Sequence, residues 1–220
     1  MPQGIENDHR KGTPLILRQD LREKVRAGWG RRLVVFLVDA SDSMDVAQQL
    51  AAAKGAALHL LSSAYVRRDR VSLITFQGER ARVILPPTTS VHLAREKLVY
   101  LTPGGATPLA DGLLTGWRIV RTERIKNPRG RIVLVILSDG EGNVPLVPGA
   151  DQQKELAALA GLIRKERIQV VLVDTSPKGK DLARSERLAE ILGAELTRLE
   201  RVESAELVNL VEKDGRGGRK

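Results

Sequence analysis

Residues 31–39 read RRLVVFLVD, and this stretch decides the fold. The run from Leu33 to Val38 is continuously apolar and rich in β-branched residues, which is typical of a strand buried on both faces. The same signature returns twice along the chain, as IVLVILSD at 132–139 and as IQVVLVDT at 168–175. Strands of this kind belong to parallel sheets that are covered by helices on both sides. The sequence therefore predicts an α/β domain.

Helical patterns separate these strands. Residues 44–66 are rich in Ala and Leu at helical spacing, and further helices are predicted near 19–26, 90–100, 109–125, 151–166, 181–192 and 203–212. Two short β segments, VSLITF at 71–76 and ARVILP at 81–86, flank a Gly-containing turn and predict a hairpin. Residues 194–200 (AELTRLE) are predicted to form an edge strand. The pattern favours a Rossmann-like, doubly wound, mostly parallel six-stranded sheet with one antiparallel edge hairpin and helices on both faces.

Composition narrows the class of protein. We expect a polar lead-in at 1–30, one domain at 31–213 and a basic tail at 214–220. The chain has no cysteine, which excludes disulfides, thiolate metal ligands and thiol nucleophiles. No apolar run approaches the ~20 residues that span a bilayer, so a cytoplasmic protein without membrane contact is expected. The net charge of +9 fits solvated basic faces, an acidic partner or nucleic acid, but an aromatic content of 3% offers few stacking platforms for single strands.

Short oxygen donors follow the buried strands. In open α/β sheets, ligands bind beyond the carboxyl ends of the strands, where the strand order reverses. Residues 39–43 (DASDS) follow the first strand, residues 138–141 (SDGE) follow a later one, and the loop at 104–109 (GGATPL) opens a helix. Carboxylates and hydroxyls without Cys or His form a hard-oxygen set that suits Mg²⁺, or Mn²⁺ in its place. The predicted metal ligands are Asp39, Ser41, Ser43, Thr107 and Asp139.

Each of these residues also has a purely structural interpretation. Asp39 and Asp139 could stabilise the turns that follow their strands, and the two serines could be turn residues. Thr107 could cap a helix that starts at Pro108, a position where proline is favoured. Three further acids are candidates for outer positions around the ion, although solvent exposure or a favourable helix-dipole position explains them equally well. These are Asp42, Glu141 and Asp111.

The three loops together resemble a known site. The D-x-S-x-S pattern at 39–43, Thr107 within GGATPL and Asp139 after a later strand are similar, in order and spacing, to the metal-ion-dependent adhesion site of von Willebrand factor type A (vWA) domains. The segments 73–91 (LITFQGERARVILPPTTSV), 102–113 (TPGGATPLADGL) and 138–146 (SDGEGNVPL) also resemble the vWA domain of the magnesium chelatase D subunit. That resemblance implies an Mg²⁺-dependent interaction module that couples an AAA+ ATPase subunit with its partners, including the large chelatase subunit. An acidic residue of the partner would complete the metal site.

The chain also departs from that family. Asp42 stands where relatives have Gly, and Glu141 stands where relatives carry a basic residue. A G-x-x-x-x-G-K-[ST] phosphate loop is absent, so the ATPase domain would lie outside this sequence or in another protein. A stand-alone vWA protein that serves a different AAA+ ATPase is the alternative, followed by a basic vWA domain that binds nucleic acid.

Independent catalysis is not predicted. The D-x-D motif of haloacid-dehalogenase-type phosphotransferases would need an acid at position 41, where this chain has Ser41. A G-x-S-x-G nucleophile motif is also missing. We therefore assign no catalytic residue.

Overall fold

The structure is a computed structural model that describes residues 32–41, 46–176 and 182–198. The strands are β1 (Leu33–Asp39), β2 (Arg70–Gln77), β3 (Arg80–Thr88), β4 (Ile132–Ser138), β5 (Gln169–Asp174) and β6 (Glu195–Arg198). The helices are α1 (Val46–Val66), α2 (Val91–Val99), α3 (Leu109–Lys126), α4 (Gln152–Lys165) and α5 (Ala183–Leu192). None of these described helices offers the apolar length that a bilayer crossing would need.

The strands form one six-stranded sheet in the order β3-β2-β1-β4-β5-β6. All neighbouring pairs are parallel except β2 and β3, which form the predicted antiparallel hairpin at one edge. The predicted fold class is therefore confirmed. The lead-in at 1–30, the helices predicted at 19–26 and 203–212 and the tail at 214–220 lie outside the described residues.

Alternate residues of the central strands pack into two separate hydrophobic cores, one on each face of the sheet. In β1, Val34, Phe36 and Val38 face the core that α1 and α2 cover. Leu33, Val35 and Leu37 face the opposite core, which α3, α4 and α5 cover. Because a strand places successive side chains on opposite faces, a continuously apolar strand needs helices on both sides. Because helices cover both faces of the sheet, the ends of the strands are the places that remain accessible to a ligand.

Two glycines bring α3 close to the sheet. A Cβ atom at Gly112 would lie 2.8 Å from Cδ1 of Phe76, and one at Gly116 would lie 3.0 Å from Cδ1 of Leu37. The helix backbone therefore occupies space that side chains would otherwise need. The close packing fixes the start of α3, which follows directly on the loop that carries Thr107.

Candidate metal centre

The candidate centre lies where the strand order reverses. From β1 the chain runs outwards to β2 and β3, and then returns to place β4 on the other side of β1. Val38 pairs with Leu137 in the parallel register, so the carboxyl ends of β1 and β4 are neighbours. Asp39 ends β1, and Asp139 follows β4 directly. The topology alone therefore places the two predicted acidic ligands at the same edge of the sheet.

The carboxylate of Asp39 is held by hydroxyl and amide donors. Its Oδ1 accepts hydrogen bonds from the backbone N–H of Ser41 at 3.0 Å and from the Ser41 hydroxyl at 2.6 Å. Its Oδ2 accepts a hydrogen bond from the hydroxyl of Ser138 at 2.9 Å. Burial raises the pKa of Asp39 to about 6; the hydrogen bonds from Ser41 and Ser138 oppose this shift, and the nearby charge of Asp139 adds to it. Asp39 is thus a fixed, poorly solvated carboxylate.

Asp139 is held through its own loop and through α5. Its Oδ1 accepts a hydrogen bond from the backbone N–H of Glu141 at 2.9 Å, and its carbonyl accepts one from the hydroxyl of Ser185 at 3.0 Å. Burial is the largest cause that raises the pKa of Asp139. The next residue, Gly140, has φ +77°, and a Cβ atom there would lie 2.9 Å from the backbone nitrogen of Ser185. Only glycine allows α5 to approach this turn so closely.

The loop that carries Thr107 is tied to both neighbouring loops. The N–H of Gly104 donates to the carbonyl of Ala40 at 2.9 Å, which anchors the loop to the end of β1. The N–H of Thr107 donates to Oδ1 of Asn143 at 2.7 Å, and the N–H of Asn143 donates to the carbonyl of Thr107 at 3.1 Å. The N-cap of helix α3 is Pro108, whose side chain makes no capping hydrogen bond. Thr107 itself is buried.

Two of the acids predicted for outer positions around the ion, Asp111 and Glu141, contact other residues in the structure. Oδ2 of Asp111 accepts a hydrogen bond from the backbone N–H of Ala81 at 2.8 Å and so joins α3 to the start of β3. Glu141 forms an ion pair with Arg184, with 2.6 Å between Oε2 and Nη1. Asp111 therefore has a structural contact that explains it without a metal. The predicted ligand Ser43 and the third outer acid, Asp42, lie outside the described residues.

Sequence reasoning missed several residues that support the centre. Ser138 and Asn143 hold Asp39 and Thr107 respectively, and Ser185 reaches the Asp139 carbonyl from a separate helix. A fourth supporting residue, Asp174, could have been found from the sequence. Asp174 ends β5, and its Oδ1 accepts hydrogen bonds from the hydroxyls of Ser176 at 2.7 Å and Ser185 at 2.6 Å. Residues 174–176 thus repeat the D-x-S pattern that follows β1.

The donor set fits a small, hard cation. No three His, Cys, Asp or Glu side chains gather into a metal-binding group within the described ranges. The centre instead combines two half-buried carboxylates, Asp39 and Asp139, with hydroxyl oxygens. In the described part of the chain, no cationic side chain lowers the pKa of Asp39. Oxygen ligands with one or two carboxylates suit Mg²⁺, which keeps several waters. The residues that would hold the ion are Asp39, Ser41, Thr107 and Asp139.

The basic stretch on and after α3 is partly used within the fold. The guanidinium of Arg121 lies 5.4 Å from the ring centroid of Trp117 and 3.7 Å from a carboxylate oxygen of Glu166. Arg124 donates to the backbone carbonyls of Pro128 at 3.0 Å and Gly130 at 2.8 Å. These contacts give Arg121 and Arg124 a structural role within the fold.

Comparison with known proteins identifies the class. Residues 34–141 match the family model described as the von Willebrand factor type A domain. This match spans β1 to the turn after β4, and therefore includes the three loops of the candidate centre. The chain belongs to the vWA family.

Within that family, the chain is related to magnesium-chelatase subunits. It is 37% identical over 207 residues to the magnesium-chelatase 67 kDa subunit of Chlorobaculum parvum, covering 90% of this chain and 33% of the relative. It is 34% identical over 200 residues to the 60 kDa subunit of Cereibacter sphaeroides, covering 90% of this chain and 35% of the relative. The chain thus spans about a third of the length of these relatives. An uncharacterized protein of Methanocaldococcus jannaschii is 35% identical over 147 residues, covering 64% of this chain and 83% of that protein.

Solved structures agree at the level of the fold. A von Willebrand factor type A structure from Catenulispora acidiphila superposes with a TM-score of 0.60 at 18% identity, covering 83% of this chain and 41% of that chain. The manganese-loaded TRAP protein of Plasmodium vivax superposes with a TM-score of 0.63 at 14% identity, covering 82% of this chain and 72% of that chain.

Proposed function

We propose that this vWA domain binds Mg²⁺, or Mn²⁺, through Asp39, Ser41, Thr107 and Asp139, with Ser43 as a further ligand. The observation that carries the proposal is the state of Asp39. Its carboxylate is half-buried and lies near the charge of Asp139, and burial raises its pKa to about 6. Burying two like charges together is costly unless a cation or a proton offsets them. At neutral pH a divalent cation is the better counter-charge.

The chain's own residues orient the donors. The Ser41 hydroxyl donates its proton to Asp39 at 2.6 Å and so leaves its lone pairs available to a cation. Ser138 fixes the other oxygen of the same carboxylate, and Ser185 fixes the backbone at Asp139. A preorganised set of this kind loses little conformational entropy on binding. Bound Mg²⁺ would supply a positive charge with open positions, suited to a carboxylate from another molecule.

We infer that the domain acts as an interaction module and not as an independent enzyme. Its relatives include magnesium-chelatase subunits. The resemblance to that family implies an AAA+ ATPase subunit and the large chelatase subunit as partners. An acidic side chain of the partner would complete the metal site. A stand-alone vWA protein that serves another AAA+ ATPase keeps the same metal chemistry and differs only in the partner.

An affinity experiment tests the proposal. The tagged chain, its Asp39→Ala variant and a Glu96→Ala control are incubated with lysate of the source organism, in Mg²⁺ or in EDTA. Glu96 is an exposed acid on α2, and its loss should not affect the candidate centre. We expect the chain and the control to retain an AAA+ ATPase or a large chelatase subunit only in Mg²⁺, and Asp39→Ala to retain neither. Retention that ignores both EDTA and Asp39→Ala would contradict the proposal.

A further inference from the structure

A cavity of about 380 Å³ opens between the β4–α4 loop, the start of α4 and α5. We propose that it receives an apolar side chain and an adjacent carboxylate from the same partner segment that supplies the metal-completing acid. This inference rests on the proposed function of the candidate centre. The cavity would then be the part of the surface that selects the partner, since the metal itself accepts any suitably placed carboxylate.

The cavity adjoins the turn that follows Asp139 of the candidate centre. Gly140 and Glu141 line it, and they are the two residues that follow Asp139 in the chain. The backbone N–H of Glu141 also donates to Oδ1 of Asp139 at 2.9 Å. An extended segment advances by about 3.3–3.6 Å per residue. A segment with one carboxylate at the metal therefore reaches the cavity within about three residues.

The floor of the cavity is apolar. Leu156 of α4 and Leu188 and Ile191 of α5 line it, and all three belong to or pack against the core on that side of the sheet. The volume lies at the lower end of the range of about 300–1,000 Å³ that is usual for ligand pockets. It suits one or two side chains of the size of Leu or Ile, whose burial is favourable in proportion to the apolar area removed from water.

The polar groups of the cavity favour an anionic neighbour. Nε2 of Gln152 is buried and has no hydrogen-bond partner among the residues that the structure describes, so it offers a donor to an incoming oxygen. Arg184 is already paired with Glu141. Arg187 lines the cavity, is exposed, and has no ion pair with any residue that the structure describes. A carboxylate next to the apolar side chain would satisfy both Gln152 and Arg187, which a neutral or basic segment would not.

The experiment uses the full chain and a heptapeptide library displayed on phage, selected in Mg²⁺. We expect the enriched peptides to carry one acid, an apolar residue within about three positions of it, and a second acid beside the apolar residue. Dissociation constants of a labelled selected peptide are then measured by fluorescence anisotropy for the chain, Arg187→Glu and Arg95→Glu. Arg95 is an exposed arginine on α2, which packs on the opposite face of the sheet.

The proposal predicts that Arg187→Glu weakens peptide binding about tenfold or more, because an attractive charge becomes a repulsive one, while Arg95→Glu stays within about twofold. Calorimetry with MgCl₂ alone should give the same affinity for both variants and the parent chain. Equal peptide affinity for Arg187→Glu and the parent, peptides without the second acid, or no enriched peptide would overturn it. Arg187-dependent binding that persists in EDTA would overturn the joint engagement of metal and cavity. Absence of Mg²⁺ binding by the parent chain would instead refute the proposed function.

Discussion

Among single residues, Asp39 is the one on which burial and hydrogen bonding act in opposite directions: burial raises its pKa and hydrogen bonds lower it. Its position at the end of a buried strand removes water from the carboxylate, and three hydrogen bonds from Ser41 and Ser138 compensate only in part, because its pKa remains raised to about 6. A carboxylate in this state favours whichever positive charge is offered, a proton at low pH or a cation at neutral pH.

This state predicts a pH dependence of stability. The ordinary pKa is 3.8 and the folded pKa is about 6. Between these values the folded chain binds more protons at Asp39 than the unfolded chain does, so this residue's contribution to the free energy of unfolding falls as the pH rises. In metal-free buffer, the parent chain should therefore lose more stability than Asp39→Asn between about pH 4 and pH 7. Urea unfolding at both pH values measures this, and equal changes for the two proteins would contradict the assignment.

Gly140 sets the position of Asp139, and a matched pair of variants separates backbone strain from crowding. Gly140 and Gly149 both have positive φ, +77° and +81°. A Cβ atom at Gly140 would lie 2.9 Å from the nitrogen of Ser185, whereas one at Gly149 would meet nothing within 4 Å. Gly140→Ala should weaken Mg²⁺ binding about tenfold or more by displacing the turn after Asp139, while Gly149→Ala should only lower stability, by about 1 kcal/mol. Calorimetry with MgCl₂ distinguishes the two, and unchanged Mg²⁺ affinity in Gly140→Ala would be inconsistent with the role of this turn.

The sequence allowed the predicted ligands to be named but not the residues that hold them. Asp39, Thr107 and Asp139 follow strands or open a helix within recognisable short patterns. Ser138 bonds to Asp39 across 99 positions of the sequence, and Ser185 bonds to the Asp139 carbonyl across 46. Such pairs depend on how strands and helices come together in space, which no local pattern contains. The roles of all five residues as metal ligands remain predictions: Asp39, Ser41, Ser43, Thr107 and Asp139.

At the level of elements, α3 packs closely on the sheet because glycine, which has no side chain, stands at the contact positions. A Cβ atom at Gly112 would lie 2.8 Å from Phe76, whereas Gly161 in α4 has nothing within 4 Å. We therefore expect Gly112→Ala to destabilise the fold by about 1–3 kcal/mol through overpacking. Gly161→Ala should stabilise it by about 0.5–1 kcal/mol, because alanine is the better helix former. Chemical denaturation measures both, and equal effects of the two variants would refute the close approach of α3.

Elements were easier to predict than their arrangement. The buried strands were evident because an uninterrupted apolar run such as Leu33 to Val38 is too short for a typical helix and is rich in β-branched residues. The hairpin followed from the Gly-containing turn between β2 and β3. The position of β1 between β2 and β4 was not predicted from periodicity, because it depends on the direction of the crossovers. That position makes the carboxyl ends of β1 and β4 neighbours and so brings Asp39 and Asp139 to the same side of the sheet.

At the scale of the whole molecule, the domain is a scaffold that presents three loops and a neighbouring cavity on one edge of a sheet. The chain spans 33% of the Chlorobaculum parvum magnesium-chelatase subunit to which it is similar. The net charge of +9 is compatible with an acidic partner surface. This agrees with a partner segment that brings one carboxylate to the metal and another to Arg187.

Isothermal titration calorimetry of the full chain with MgCl₂, at neutral pH and without any partner, tests the central claim most directly. We expect saturable binding of one ion per chain, weakened at least tenfold in Asp39→Ala and unchanged in Glu96→Ala, with both variants retaining the circular dichroism spectrum of the parent. Absence of saturable binding by the parent chain, or the same affinity in Asp39→Ala, would contradict the assignment of the metal centre to the loops that follow β1 and β4.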